Sequence, residues 1–205
     1  MMKNKQADII KNISDEVLLL NVWLTQLIVL IISIILALFS FDHLSQLLNL
    51  FEINDINIIY VGVTAGISVV LLDLILMKFL PSSWFDDGGI NNRIFRAIPI
   101  WKIFFLTLTI AICEEFLFRG IIQYHTNLWI ASVIFALVHY RYLFNPFLFL
   151  NVTLLSFFIG VLFKVTDNLF VTIMAHFIID FLLGIHIRIM HKRTLIMDSE
   201  RKCSE

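Results

Sequence analysis

Long apolar runs recur along the chain and are separated by short polar stretches. A membrane hydrocarbon core about 30 Å thick is crossed by roughly 20 apolar helical residues, so each run predicts a membrane-spanning helix. We predict six spans, of which the fourth is the shortest and carries only His139 as an ionisable residue. The spans cover residues 17–41, 56–77, 101–123, 127–140, 142–163 and 168–190.

The amino-acid composition agrees with this pattern. Of the 205 residues, 60% are apolar and 15% are charged, whereas a soluble domain is about half apolar and a quarter charged. A water-soluble globule is therefore excluded. The net charge of −1 lacks the basic excess that nucleic-acid binding needs, so we expect no nucleic-acid partner. We predict an all-α polytopic protein of the lipid bilayer, with one membrane domain over residues 1–205.

Most of the basic residues fall on one side of the predicted spans. Lys and Arg cluster before the first span, after the second, after the fourth and in the C-terminal tail, whereas Arg119 and Lys164 fall toward the other side. Cytoplasmic loops of membrane proteins carry such an excess. The distribution predicts a multi-pass protein of the cell membrane with both termini in the cytoplasm.

The third span carries the charged residues Glu114, Glu115 and Arg119. Charges inside a span are costly and normally face a cavity or a partner, so they indicate a candidate functional site. Glu115 and Arg119 are four residues apart and are expected to pair on one helical face. Glu114 points about 100° away around the helix. It therefore needs a partner on another helix, a cation or a proton.

Two histidines in later spans complete this candidate site. His139 shares a helical face with Phe135, and His176 shares one with Asp180. At a rise of about 1.5 Å per residue, Glu114, His139 and His176 lie at overlapping depths near the middle of the membrane. We therefore expect these three side chains to converge.

One carboxylate and two imidazoles support two kinds of hydrolysis. In one, Glu114 takes a proton from a water molecule that the imidazoles orient. In the other, Glu114, His139 and His176 bind a divalent metal such as zinc, which acidifies its bound water. The motif H-E-x-x-H of soluble zinc proteases is absent from the sequence, so the metal has less support. Both alternatives remain open at this point.

Three segments carry a family resemblance: E-E-F-L-F-R at 114–119, F-A-L-V-H at 135–139 and H-F-I-I-D at 176–180. In order and spacing they resemble the E-E-x-x-x-R, F-x-x-x-H and H-x-x-x-N/D motifs of the CAAX protease and bacteriocin-processing (CPBP, Abi) family of intramembrane endopeptidases. The match covers roughly residues 101–185.

The resemblance implies an endopeptidase that cuts membrane-associated or lipidated, CAAX-like peptides. Glu114 would activate water, and His139 and His176 would position that water or bind a metal. Glu115 and Arg119 would shape the site. Residues 101–190 would form the catalytic helices, preceded by a tail and two variable helices in 1–100 and followed by a cytoplasmic tail in 191–205.

The last motif position differs from one branch of the family. It is often Asn in the eukaryotic prenyl-protein proteases, where it would help to stabilise an oxyanion, and it is Asp180 here. An ionised carboxylate accepts hydrogen bonds but cannot donate them. The difference favours Asp180 as a partner of His176 or as a metal ligand.

Two other functions are compatible with the same residues. Buried Glu and His side chains also serve as proton relays in proton- or cation-coupled carriers, although the sequence has no detectable inverted repeat. A catalytically silent scaffold or immunity protein of the same family is the second alternative. The three functions differ in whether Glu114 is needed for product formation, for flux or for neither.

Overall fold

The computed structural model describes residues 13–203, and no strand occurs among them. The predicted all-α fold is confirmed. One π-helical segment, Ile58–Val63, directly precedes the α-helix Thr64–Phe79, and a second, Phe116–Gln123, directly follows the α-helix Ile100–Glu115. Short 3-10 helices lie at Ser82–Phe85 and Tyr140–Phe144. The α-helices of this part of the chain are α1 Asp15–Ser40, α2 Leu44–Leu48, α3 Thr64–Phe79, α4 Ile90–Ala97, α5 Ile100–Glu115, α6 Leu128–Val138, α7 Pro146–Thr166 and α8 Leu169–Cys203.

Four helical stretches of the described chain are long and apolar enough to cross a membrane: Asp15–Ser40, Ile58–Phe79, Pro146–Thr166 and Leu169–Met197. The protein is an integral membrane protein. The predicted third span is long enough but is interrupted by the charges near the end of α5, and α6 has only 11 residues. The total of six spans therefore stays a prediction.

Capping residues explain where the later helices begin. The Asn145 side chain accepts a hydrogen bond from the Leu148 N–H at 3.3 Å, and Pro146 occupies the first turn of α7. Both features favour a helix start, because Asn satisfies a free backbone donor and Pro has none to satisfy. The helix of the fifth apolar run consequently begins at Pro146, four residues after the predicted start.

Helix α8 is the central element of the fold. It packs against α3 and the π-helical segment that precedes α3, and also against α4, α5 and α7. Helix α1 covers α5, and α1 and α6 cover the π-helical segment that continues α5. This packing removes the charged end of α5 from lipid, and Glu115 and Arg119 are fully buried.

The contact between α3 and α8 depends on two glycines that lie four residues apart. A Cβ atom on Gly62 would lie 2.8 Å from the Val171 carbonyl oxygen, and one on Gly66 would lie 2.8 Å from the Ile178 Cβ. Small residues at this spacing let helices approach closely in a membrane, where van der Waals packing drives their association. The two glycines thus set how closely α3 lies on the helix that carries His176.

We expect Gly66→Ala to lower the free energy of unfolding by about 1 to 3 kcal/mol, because the added methyl group overpacks this contact. The atoms that it meets are the Ile178 Cβ and the Ala175 carbonyl oxygen, which cannot turn away as the end of a flexible side chain can. Thermal unfolding in one detergent measures the change. Ile67→Ala, at an exposed neighbouring position, is the control and should change stability by about 0.5 kcal/mol or less. Equal unfolding midpoints for Gly66→Ala and the wild type would contradict this prediction.

Helices also form outside the predicted spans. The connection between α3 and α5 contains α4, whose Ile90 and Ile94 are buried in a cluster with Leu18 and Ile103. Helix α8 continues without a break to Cys203. Residues 191–203, which the sequence predicts as a tail, therefore extend the last helix.

Candidate active site

The charged end of α5 meets the histidine of α8 at the centre of the fold. Glu115 Oε1 lies 2.8 Å from His176 Nδ1, and Glu115 Oε2 lies 3.4 Å from Arg119 Nε. All three side chains are buried. The expected pair between Glu115 and Arg119 is present, and Glu115 also joins it to a second helix through His176.

The π-helical segment holds this network against α7. Arg119 Nη2 donates to the backbone oxygen of Ser156 at 2.9 Å and to its Oγ at 3.0 Å. One turn further on, Gln123 Nε2 donates to the backbone oxygen of Gly160 at 2.7 Å. Wide π-helical turns are frequent at functional sites. Here the segment fixes the Arg119 guanidinium, and with it the Glu115 carboxylate.

Glu114 lies outside this network and has a different partner. Gln26 of α1 donates from Nε2 to Glu114 Oε1 at 3.1 Å. The other carboxylate oxygen of Glu114 has no hydrogen-bond or ion-pair partner among residues 13–203. The side chain is also only partly buried. Glu114 thus has its partner on another helix, as expected, and keeps one oxygen available.

His139 lies where α6 ends. Its Nδ1 is 2.8 Å from the backbone oxygen of Phe135. A carbonyl oxygen only accepts, so Nδ1 carries the proton in this bond. Nε2 has no partner among the described residues and is free to contact water or substrate. On its other side the His139 ring stacks on Tyr142, with ring centroids 5.9 Å apart.

Phe135 joins the two histidines into one region. Its ring centroid lies 4.5 Å from that of His139 and 6.4 Å from that of His176. Arg119 Cζ lies over the same ring at 5.4 Å. The three motif segments are therefore brought together around Phe135. Within this region Glu115, rather than Glu114, is the carboxylate that bonds to His176.

Asp180 borders the network on its more open side. Its Oδ2 lies 3.5 Å from His176 Nε2, and its side chain is 30% exposed, compared with 6% for His176. A hydrogen bond of this kind is normally about 2.7 to 3.2 Å long. Asp180 thus faces the second ring nitrogen of His176 at ion-pair distance, slightly beyond the length of a hydrogen bond.

The predicted metal ligands do not gather around one point. Among the described residues, no three His, Cys, Asp or Glu side chains are grouped closely enough to hold a metal ion. Glu114 is bonded to Gln26 and His176 to Glu115. The set of Glu114, His139 and His176 does not fit a divalent metal in this arrangement.

Three residues that hold the site are not predicted from the sequence: Gln26, Gln123 and Ser156. Gln26 has a usable signal, because it is an amide near the middle of an uncharged run of 25 residues, and polar groups in a span normally face a partner. Ser156 gives no such signal, since serine is common where transmembrane helices pack.

The fold and the site together define a class of protein. The helices of this membrane protein bring together two carboxylates, two histidines and an arginine, and these residues stand in the three motif segments. This arrangement agrees with the site that the resemblance to intramembrane endopeptidases implies. Residues 96–182, which contain all three segments, match the family model described as type II CAAX prenyl endopeptidase Rce1-like. The chain belongs to this family.

The similarity to known proteins extends beyond these residues. Over 170 residues the chain is 46% identical to the uncharacterized protein YpbD of Bacillus subtilis (strain 168), an overlap of 83% of this chain and 90% of the relative. No solved structure matches the chain.

Proposed function

We propose that the protein is an endopeptidase in which Glu114 activates a water molecule for attack on a peptide bond. The observation that carries the proposal is the contrast between two adjacent carboxylates. Glu115 directs both oxygens at Arg119 and His176, whereas Glu114 keeps one oxygen without a partner among residues 13–203. A general base needs an atom within reach of the proton that it removes.

The proposed reaction uses only groups of this chain. Glu114 accepts a proton from water while the water oxygen bonds to the substrate carbonyl carbon. When the C–N bond of the tetrahedral intermediate breaks, Glu114 returns the proton to the leaving amine. The Nε2 atoms of His139 and His176 position the water and the carbonyl oxygen; that of His139 has no partner among the described residues, and that of His176 lies 3.5 Å from Asp180. Glu115 holds His176 through its Nδ1, and Asp180 is a further neighbour.

The proposed substrates are membrane-associated or lipidated, CAAX-like peptides that enter from the cytoplasm. The family description supports the substrate class. The basic residues of the loops and tail support cytoplasmic termini by the positive-inside bias. The working unit is the single membrane domain rather than residues 101–190 alone, because Gln26 of α1 bonds to Glu114.

Mass spectrometry of cleavage products tests the proposal. The detergent-purified full chain is incubated with a peptide mixture that includes C-terminally prenylated members, beside Glu114→Gln prepared in the same way. New peptide termini that need Glu114 support a protease, and their positions give the cleavage preference. A parallel sample with a chelator tests the metal-free chemistry, and we expect it to retain cleavage. Identical, uncleaved mixtures from wild type and variant, with both proteins folded, would contradict the proposal.

We expect Gln26→Met to lower kcat by about 10- to 100-fold, because this factor corresponds to the free energy that a hydrogen bond to a charged group usually contributes. The methionine fills a similar volume but cannot donate to Glu114 Oε1. Because Gln26 positions the base and does not hold the peptide, KM should change little. Steady-state kinetics on the best-cleaved peptide separate the two constants.

Thr25→Val is the matched control for this prediction. Thr25 is the preceding residue of α1, is exposed, and bonds only to a backbone oxygen of its own helix. It should keep wild-type kcat. A Gln26→Met protein that unfolds at a lower temperature and loses activity only in proportion to its folded fraction would assign Gln26 to packing instead.

A further inference from the structure

Arg141 has an unusual set of partners at the rim of the candidate active site. It lies in the 3-10 helix that follows α6. Its Nη2 bonds to the Tyr142 hydroxyl at 2.7 Å and to Asn91 Oδ1 of α4 at 3.2 Å. Within the described chain, no carboxylate lies within 4 Å of this guanidinium. Both groups that hold it are neutral.

Other arginines of the chain are paired differently. Arg93 and Arg96 of α4 contact Asp15 at 2.7 and 3.7 Å, and Arg119 contacts Glu115 at 3.4 Å. Arg141 is less exposed than Arg96, so it is a partly buried cation without a paired anion in the part of the chain that the structure describes. A guanidinium has five donors in a planar fork that matches a carboxylate. Nε and Nη1 of Arg141 have no partner among residues 13–203.

The position of Arg141 connects it to the reacting groups. The Tyr142 ring, which carries the hydroxyl that holds Arg141, stacks on His139 at an interplanar angle of 18°. Burial alone would lower the pKa of Arg141, but Tyr142 and the nearby carboxylates of Asp87 and Glu114 raise it. The cation is therefore maintained, and it is near Glu114 and, through Tyr142, near His139.

The Asn145 side chain helps to hold the loop around Arg141 in place. Asn145 Nδ2 donates to the backbone oxygens of Ser83, Trp84 and Asp86, at 3.3, 2.9 and 3.1 Å. These bonds join the turn after α6 to the connection that leads into α4. A binding group works best on such a fixed frame, because little ordering remains to be done when the ligand arrives.

We propose that Arg141, with Asn91 and Tyr142, forms a subsite for the C-terminal carboxylate of the peptide substrate. The inference rests on the proposed function and adds to it a specificity-determining residue, Arg141, for the C-terminal end of the peptide. Glu114 is one of the carboxylates that act on Arg141 electrostatically. Since an extended residue spans about 3.3 to 3.6 Å, a peptide whose carboxylate is bound at Arg141 needs only a few residues to reach Glu114. A singly charged, planar group fits better than a phosphate, because Asp87 and Glu114 would repel additional negative charge.

Binding of matched peptides tests the subsite without depending on cleavage. The probes are one peptide as the free acid, the same peptide as the C-terminal amide, and an amide whose last residue is Asp. They are titrated onto the full chain carrying Glu114→Gln in lipid nanodiscs. We expect the free acid to bind about 10- to 100-fold more tightly than the amide. The third probe separates a terminal carboxylate from a side-chain carboxylate.

Variants at the subsite should change this preference. In Arg141→Gln we expect the acid-to-amide ratio to approach one, and in Tyr142→Phe, which keeps the ring on His139, to fall by a smaller factor. Arg96→Gln removes the same charge from an arginine that is paired with Asp15 and should keep the full ratio. If Arg141 only fixed the loop, its loss would weaken acid and amide equally.

The possible outcomes separate the two proposals. Equal affinity for acid and amide, an unchanged ratio in Arg141→Gln, or equal binding of the amide that ends in Asp would overturn the C-terminal carboxylate subsite. A retained acid preference in a wild-type protein that cleaves no peptide would overturn the proposed function and leave the subsite in place.

Discussion

Replacing Glu114 with Gln is expected to lower kcat for peptide cleavage by about 10²- to 10⁴-fold, the range that general base catalysis contributes. The amide keeps the shape of the side chain but cannot accept the proton from water. KM should stay within about twofold, because this interaction is made in the transition state and not in the bound substrate. Single-turnover cleavage of the best peptide from the library measures the change.

Glu115→Gln is the informative comparison, since it makes the same chemical change at the next residue. Glu115 is fully buried between Arg119 and His176, so we expect its replacement to lower the unfolding temperature as well as the activity. Because Glu114 is partly exposed, the Glu114→Gln protein should lose activity but keep the unfolding temperature of the wild type. A Glu114→Gln protein with wild-type kcat would exclude Glu114 as the base.

The local geometry of the motifs could be predicted from spacing alone. Residues four apart on a helix face the same way, and the expected pairs of Glu115 with Arg119 and of Phe135 with His139 are both in contact. His176 likewise approaches Asp180, at 3.5 Å. These contacts depend on one helix each, so a periodic pattern is sufficient to anticipate them.

Contacts between helices were harder to predict. Depth along the membrane placed Glu114 and His176 near each other, but the rotation of α5 decides which of two adjacent acids meets His176, and it is Glu115. That rotation is set by packing against α1 and α8 and by the π-helical turn after Glu115. None of these has a clear signature in a single sequence. Gly62 and Gly66, by contrast, show the small-xxx-small pattern in the sequence itself.

The number of spans shows a further limit. Hydropathy identifies a span by its lack of charge, yet an active site inside the membrane requires charge. The run that contains Glu114, Glu115 and Arg119 thus fails a test based on charge, although it is long enough to span the membrane. The shortness of α6 has a related cause, because the helix ends at His139, where the chain turns to present the imidazole.

Removing Arg119 should have the largest effect on stability of any single substitution in the site. Its guanidinium is fully buried and is held by Glu115 and by two bonds to Ser156. Breaking a buried ion pair by deleting one partner costs about 3 to 5 kcal/mol, because the other charge is left without compensation. We expect Arg119→Met to lower the free energy of unfolding by about this amount, measured in mixed micelles.

The double variant Arg119→Met/Glu115→Gln distinguishes two causes of the lost stability, namely a buried charge without a partner and the loss of packing contacts. If the single losses arise from a stranded charge, neutralising both residues should restore part of the stability, and the double variant should be more stable than the sum of the single changes by about 0.5 to 3 kcal/mol. Arg96→Gln breaks an exposed pair with Asp15 and should cost about 1 kcal/mol or less. Strictly additive losses would show that Arg119 acts through its contacts with Phe135 and Ser156 rather than through its charge. The double variant should still be inactive, because His176 then loses the carboxylate that orients its ring.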